Sequence, residues 1–178
     1  MAKAILFVPL LRQLEGGWSN HKADRGGATM RGVTYRTFCY WRQLKKQPQP
    51  SLDDLLNISD EEWMQIFTTM YWNKWKADLI VNQSIANLLV DFAWGSGVST
   101  SIRYIQRHVL QVTADGIVGP VTLDAINGHP RPSELFNQIK AARLQFIDSL
   151  VERCPEQNVF KKGWYNRINR IVFKEEEK

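Results

Sequence analysis

Residues 14–29, LEGGWSNHKADRGGAT, place one Glu, one Asp, one Thr and four glycines directly after an apolar helical run. Glu15 falls at the C-terminal end of that run, where the helix dipole and the hydrophobic neighbours both disfavour its ionised form. Asp24 follows in a polar loop with Lys22 and Arg25 nearby, a setting that favours the carboxylate. Two carboxyls held in opposite protonation states suit acid-assisted cleavage of a glycosidic bond: one donates a proton to the leaving oxygen and the other stays charged. The glycines let the backbone fold back so that both groups face one cleft, and the hydroxyl of Thr29 can hold a water or the substrate. Spacing alone leaves an ordinary alternative open, in which Glu15 ends a surface helix, Asp24 forms a turn and Gly26-Gly27 are plain loop.

The elements that must position these residues read as helical almost throughout. Leu6, Phe7, Leu10, Leu11 and Leu14 recur at helical spacing and stop at Gly16-Gly17. Gln47 to Ser51 reads as a loop. Ser59 and Glu62 predict a capping box that opens a helix bearing Trp63, Ile66, Phe67 and Met70. Ile85, Leu88, Leu89 and Phe92 share one face of a buried helix that ends between Gly95 and Gly97. A further helix follows, then a turn at Asp115-Gly116 and a helix starting near Pro120. The last long helix is predicted from about Pro132 to Arg153. Convincing strands are absent, although residues 18–36 leave room for a small hairpin, and the charged KEEEK ending is expected to fray.

Composition narrows the chemistry. The 178 residues suit one domain or a pair of compact lobes, with 44% hydrophobic residues and net charge +5. A mean hydropathy of -0.34 and the lack of a long apolar run argue against stable membrane insertion. The N-terminal apolar patch, interrupted by Arg12 and Gln13, reads as a first helix and not as a signal peptide. A pI near 9.3 points to an anionic partner, yet Lys and Arg are dispersed and no nucleic-acid-binding motif is present. Cys39 and Cys154 read as two buried thiols, and His21, His108 and His129 lack metal-ligand spacing.

The first motif resembles the phage-type muramidases of glycoside hydrolase family 108, whose signature runs roughly E-G-G-[YW], a spacer, D-x-G-G-x-T, then G-[IV]-T. It stands here as Glu15-Gly16-Gly17-Trp18, Asp24, Gly26-Gly27, Thr29 and Gly32-Val33-Thr34. The arrangement is also similar to the Glu, Asp and Thr constellation of phage lysozymes. The resemblance implies a mainly α, lysozyme-like fold with a small hairpin near the active site. It makes Glu15 the general acid, with Asp24 and Thr29 orienting the attacking water.

A second block, residues 88–126, resembles the C-terminal peptidoglycan-binding region that accompanies this catalytic domain, with Asp91, Gly97, Gln106, Asp115-Gly116, Gly119-Pro120 and Thr122 at matching places. It departs at Gly95, where the family often has Asn. Several of these residues read more simply as turn and helix formers than as glycan contacts. Gly163 to Ile171 also looks like the family's C-terminal ending.

The resemblance implies residues 1–85 as the catalytic region and residues 86–178 as a helical peptidoglycan-binding region packed against it. The expected activity is cleavage of the β-1,4 bond between N-acetylmuramic acid and N-acetylglucosamine, by a monomer needing neither metal nor cofactor. The partner is peptidoglycan, reached in the periplasm or outside the cell after phage-type release or dedicated export. A noncatalytic peptidoglycan-binding protein is the rival reading, and it gives no reason for Glu15. Trp63, Trp72, Trp75 and Trp94 read as core. Trp18, Tyr35 and Trp164, in loop-like or glycine-flanked settings, are the aromatic candidates for stacking on sugar rings.

Overall fold

The computed structural model describes residues 1–20 and 27–175. It is mainly helical with a small antiparallel sheet, as expected, and divides into two compact units. One is Phe7–Met70. The other joins Met1–Leu6 to the chain from Tyr71 onward.

In the first unit, α1 (Ala4–Leu14) contributes Phe7, Val8 and Leu11 to the core. The strands β1 (Trp18–Ser19), β2 (Thr29–Met30) and β3 (Val33–Thr34) follow. α2 (Tyr35–Leu44) starts at Thr34, whose side chain accepts from the Thr37 amide, and it buries Phe38 and Trp41. α3 (Leu52–Leu56) opens on a complete capping box between Ser51 and Asp54. α4 (Asp60–Phe67) buries Trp63, Ile66 and Phe67, with Trp63 stacked on Phe67 at 5.7 Å. The capping box expected at Ser59 is only half formed. Its hydroxyl accepts from the Glu62 amide, but the Glu62 carboxylate turns instead to Arg42 and to the Trp41 indole. A guanidinium holds a carboxylate more strongly than a neutral backbone amide does.

In the second unit the N-terminal segment is fastened by the Ala2 amide donating to the Ile80 carbonyl at 2.8 Å. Trp72 and Trp75 are fully buried, their indoles donating to Asp78 and Ser101. The hydrophobic helix α5 (Gln83–Ser96) packs with α6 (Val98–Ile105) and with the long α8 (Pro132–Arg153). α7 (Pro120–Asn127) begins at its proline, and α9 (Asn158–Arg170) packs on α8. Cys39 and Cys154 are half-buried, a correction to the expectation of buried thiols. Among the described residues no helix is long and apolar enough to cross a membrane.

Candidate active site

Glu15 continues the last turn of α1, its amide donating to the Leu11 carbonyl at 3.0 Å, and its side chain is half-buried. Gly16 and Gly17 are exposed, with open space where a side chain would begin. The Gly17 carbonyl then accepts from the Arg31 amide at 3.4 Å. The glycine pair therefore carries the chain from the helix bearing Glu15 straight into the sheet.

The sheet has the order β1-β2-β3, with Ser19 opposite Thr29 and Thr29 opposite Thr34. Directly opposed residues share a face, so these three hydroxyls form one row while Trp18, Met30 and Val33 form the other. In the second row Val33 is buried, Met30 half-buried and Trp18 exposed, so that row runs from the core of the unit out to its surface. Thr34 is committed to capping α2. Thr29, at the centre of the hydroxyl row and half-buried, donates to the Gly27 carbonyl at 3.0 Å, which leaves its oxygen lone pairs to accept a hydrogen.

β2 and β3 are joined by Arg31 and Gly32, both at positive φ (48° and 81°). This is the backbone of a tight two-residue hairpin turn. Arg31 is a residue that rarely adopts such a φ, and several contacts hold it there. Its carbonyl accepts from the Trp63 indole at 2.9 Å, and its guanidinium donates to Asp60 and to the Ile58 carbonyl. Asp60 also receives Arg12 at 3.2 Å, and the Arg12 guanidinium lies over the Trp63 ring. The hydrogen bond from Arg31, then the charge of Arg12, hold the Asp60 carboxyl below the ordinary carboxylate range. Arg12 lies one helical turn before Glu15 and Arg31 two residues after Thr29. Asp60 thus ties together the two elements that present them. Sequence reading passes over this brace; the one local signal is the Arg31-Gly32 pair, a two-residue hairpin turn ending in glycine.

Asp24 falls between β1 and β2 in sequence and lies outside the described residues. Trp18 is exposed on β1. Tyr35 is not in a loop: it is the first residue of α2, its hydroxyl donating to the Pro50 carbonyl and hydrogen-bonded with the Cys39 thiol, which raises its pKa. Trp164 is likewise helical, within α9 beside Phe160 in the second unit. Among the described residues no cluster of His, Cys, Asp and Glu is arranged to hold a metal ion.

The second motif is largely architectural. The Gln106 side chain donates to Asp115, to the Ile117 carbonyl and to Thr122, and accepts from the Gly116 amide. It thereby locks the Asp115-Gly116 turn to the start of α7. Asp91 is fully buried and receives Arg143 at 2.8 Å and Arg167 at 2.7 Å, joining α5, α8 and α9.

The family model for Glycosyl hydrolase 108 matches residues 8–97. The model for a Predicted Peptidoglycan domain matches residues 100–169. Eleven chains of solved structures match. Among them is the structure of Brucella abortus SagA, 26% identical, with a TM-score of 0.80 over 94% of this chain and 90% of that one. No curated protein matches.

Proposed function

This chain belongs to the glycosyl hydrolase 108 family and is a peptidoglycan hydrolase, and we propose that it is an N-acetylmuramidase. In this reading it cleaves the β-1,4 bond between N-acetylmuramic acid and N-acetylglucosamine. Glu15 protonates the glycosidic oxygen as the bond breaks, while Asp24 and Thr29 orient the attacking water. Thr29 does so by accepting one of the water's hydrogens. Two carboxyls and a water supply the chemistry, so no cofactor is invoked.

The observation that most supports this reading is the connection of Glu15, through Gly16-Gly17, to the sheet whose central strand carries Thr29. Trp18 and Tyr35, and Trp164 in the second unit, are the proposed sugar-contacting aromatics. Residues 1–85 are assigned to catalysis and residues 86–178 to holding peptidoglycan. The protein is proposed to act as a monomer on the cell wall, after phage-type release or dedicated export.

Purified sacculi digested with the protein, reduced with borohydride and analysed as muropeptides, test the bond assignment. New reducing ends are expected at muramic acid. Reducing ends at glucosamine, or none, overturn it.

A further inference from the structure

In the first unit, Arg36, Tyr40 and Gln43 recur along α2 at helical spacing and so share one face of it. Past the helix the chain turns back. The Gln47 amide closes the turn on the Arg42 carbonyl at 2.9 Å, and the Pro50 carbonyl is tied to the Tyr35 hydroxyl at the helix start. Pro48 and Pro50 favour an extended course for the returning residues. Between helix and return lies an open groove of about 670 Å³, lined by Arg36, Tyr40 and Gln43 from α2 and by Lys46, Gln47 and Gln49 from the return. Its volume is that of a ligand site, which typically spans about 300–1,000 Å³.

The lining describes the ligand. Two cations stand in it and no acidic side chain does. The Arg36 and Lys46 side chains form no ion pair or hydrogen bond among the described residues. Lys46 directly follows the C-cap of α2 at φ 55°, a left-handed position that glycine usually fills at the end of a helix. A side chain there costs stability, and nothing among the described residues uses its ammonium. An anion from outside the chain answers both cations. Tyr40 is 53% exposed and offers an aromatic surface to the C–H face of a sugar ring. The amides of Gln43, Gln47 and Gln49 both donate and accept, as hydroxyl and acetamido groups require.

We propose that this groove binds an N-acetylated sugar bearing a short peptide with a free carboxylate, the sugar held by Tyr40 and the glutamine amides and the carboxylate by Arg36 and Lys46. The assignment rests on the reading of peptidoglycan as the partner. It adds a specificity: the catalytic unit itself favours glycan that still carries its peptide stems over bare glycan. α2 begins directly after Thr34, a member of the hydroxyl row, so the groove lies in the same unit as Glu15 and Thr29.

Full-length protein is titrated with N-acetylmuramyl-L-alanyl-D-isoglutamine while the Tyr40 ring resonance, identified by its loss in Tyr40→Phe, is followed by NMR. The compound is expected to shift that resonance saturably. Its carboxamide, and the dipeptide without the sugar, are each expected to bind on the order of ten-fold more weakly. Lys46→Gly should weaken binding about five-fold or more while the melting temperature holds or rises, because glycine accepts the left-handed backbone. Lys46→Gln, which removes only the charge, should weaken it as well. No saturable shift, equal binding of acid and carboxamide, wild-type affinity in both Lys46 variants, or equal occupancy by inorganic phosphate each overturns the assignment. The probe has no glycosidic bond to cut, so failure here is distinct from failure of the muramidase reading, which is decided by the muropeptide ends.

Discussion

Arg31 at the hairpin tip donates its guanidinium to the carboxylate of Asp60 at the start of α4. Asp60 also receives Arg12 from the last turns of α1. One exposed carboxylate thereby fixes both the helix that ends at Glu15 and the hairpin that carries Thr29. Asp60→Ala is expected to lower the rate of sacculus clearing on the order of ten-fold, because small misplacements of reacting groups are expensive in rate. Sacculus binding and the melting temperature should change little, and Asp60→Asn, which keeps one acceptor oxygen, should retain more activity. Clearing at the wild-type rate by Asp60→Ala would remove the brace from the account.

Glu15→Gln keeps the size of the side chain and removes its transferable proton. Hydrolysis should fall by on the order of a hundred-fold or more, with sacculus binding retained. Asp24→Asn should slow the reaction as well. A folded Glu15→Gln protein that clears sacculi as fast as the wild type is incompatible with Glu15 as the acid.

Thr29 separates a hydroxyl role from a packing role. Thr29→Val preserves the branched shape that suits a strand and deletes the oxygen, so turnover should drop about ten-fold. Thr29→Ser should restore most of it. If Val and Ser variants behave alike, the hydroxyl does not hold the water.

Much of the fold could be read from hydrophobic period alone. α5 and α8 announce themselves by long buried faces, and α8 runs from Pro132 to Arg153 as expected. α2 escapes that reading because it buries only Phe38 and Trp41 among polar neighbours, although Thr34 supplies a cap. α3 is too short for periodicity and is marked only by Ser51 and Asp54. Strands of two residues cannot display alternation. In the site, Glu15 and Thr29 stand in one continuous motif and are legible. Arg12, Arg31 and Asp60 are not, because their partners lie 29 and 48 residues apart and no local pattern encodes such pairings. Asp91 is visible as a motif position, but its partners Arg143 and Arg167 lie 52 and 76 residues away.

The +5 net charge predicts that sacculus binding weakens as salt rises. Peptide carboxylates attract the basic protein over distances that screening shortens to about 8 Å at physiological ionic strength. Co-sedimentation with sacculi from low to high salt should show a steady loss of bound protein. Binding that is constant across the series would take long-range electrostatics out of recognition.

Asp91 sets the acid limit of stability. Burial pushes its carboxyl up, but the charges of Arg167 and Arg143 outweigh burial and hold it below the ordinary carboxylate range. A group whose pKa is depressed by folding stabilises the native state fully above its unfolded value, about 3.9 for Asp, and loses that contribution as pH falls toward the folded value. The melting temperature should therefore vary little through Asp91 between pH 7 and 5 and decline below about pH 4. Asp54, Asp60, Asp115 and Asp148 are depressed too and add to the same slope. Asp91→Asn leaves two guanidiniums without their shared anion. Breaking a buried pair costs about 3–5 kcal/mol, roughly 6–20 °C in melting temperature for a chain of this size. The variant's loss relative to wild type should be largest near neutral pH and shrink in acid, where the wild-type carboxylate itself becomes protonated. A gap between the two that stays constant from pH 7 to pH 2 would show that the ionised Asp91 is not what joins α5, α8 and α9.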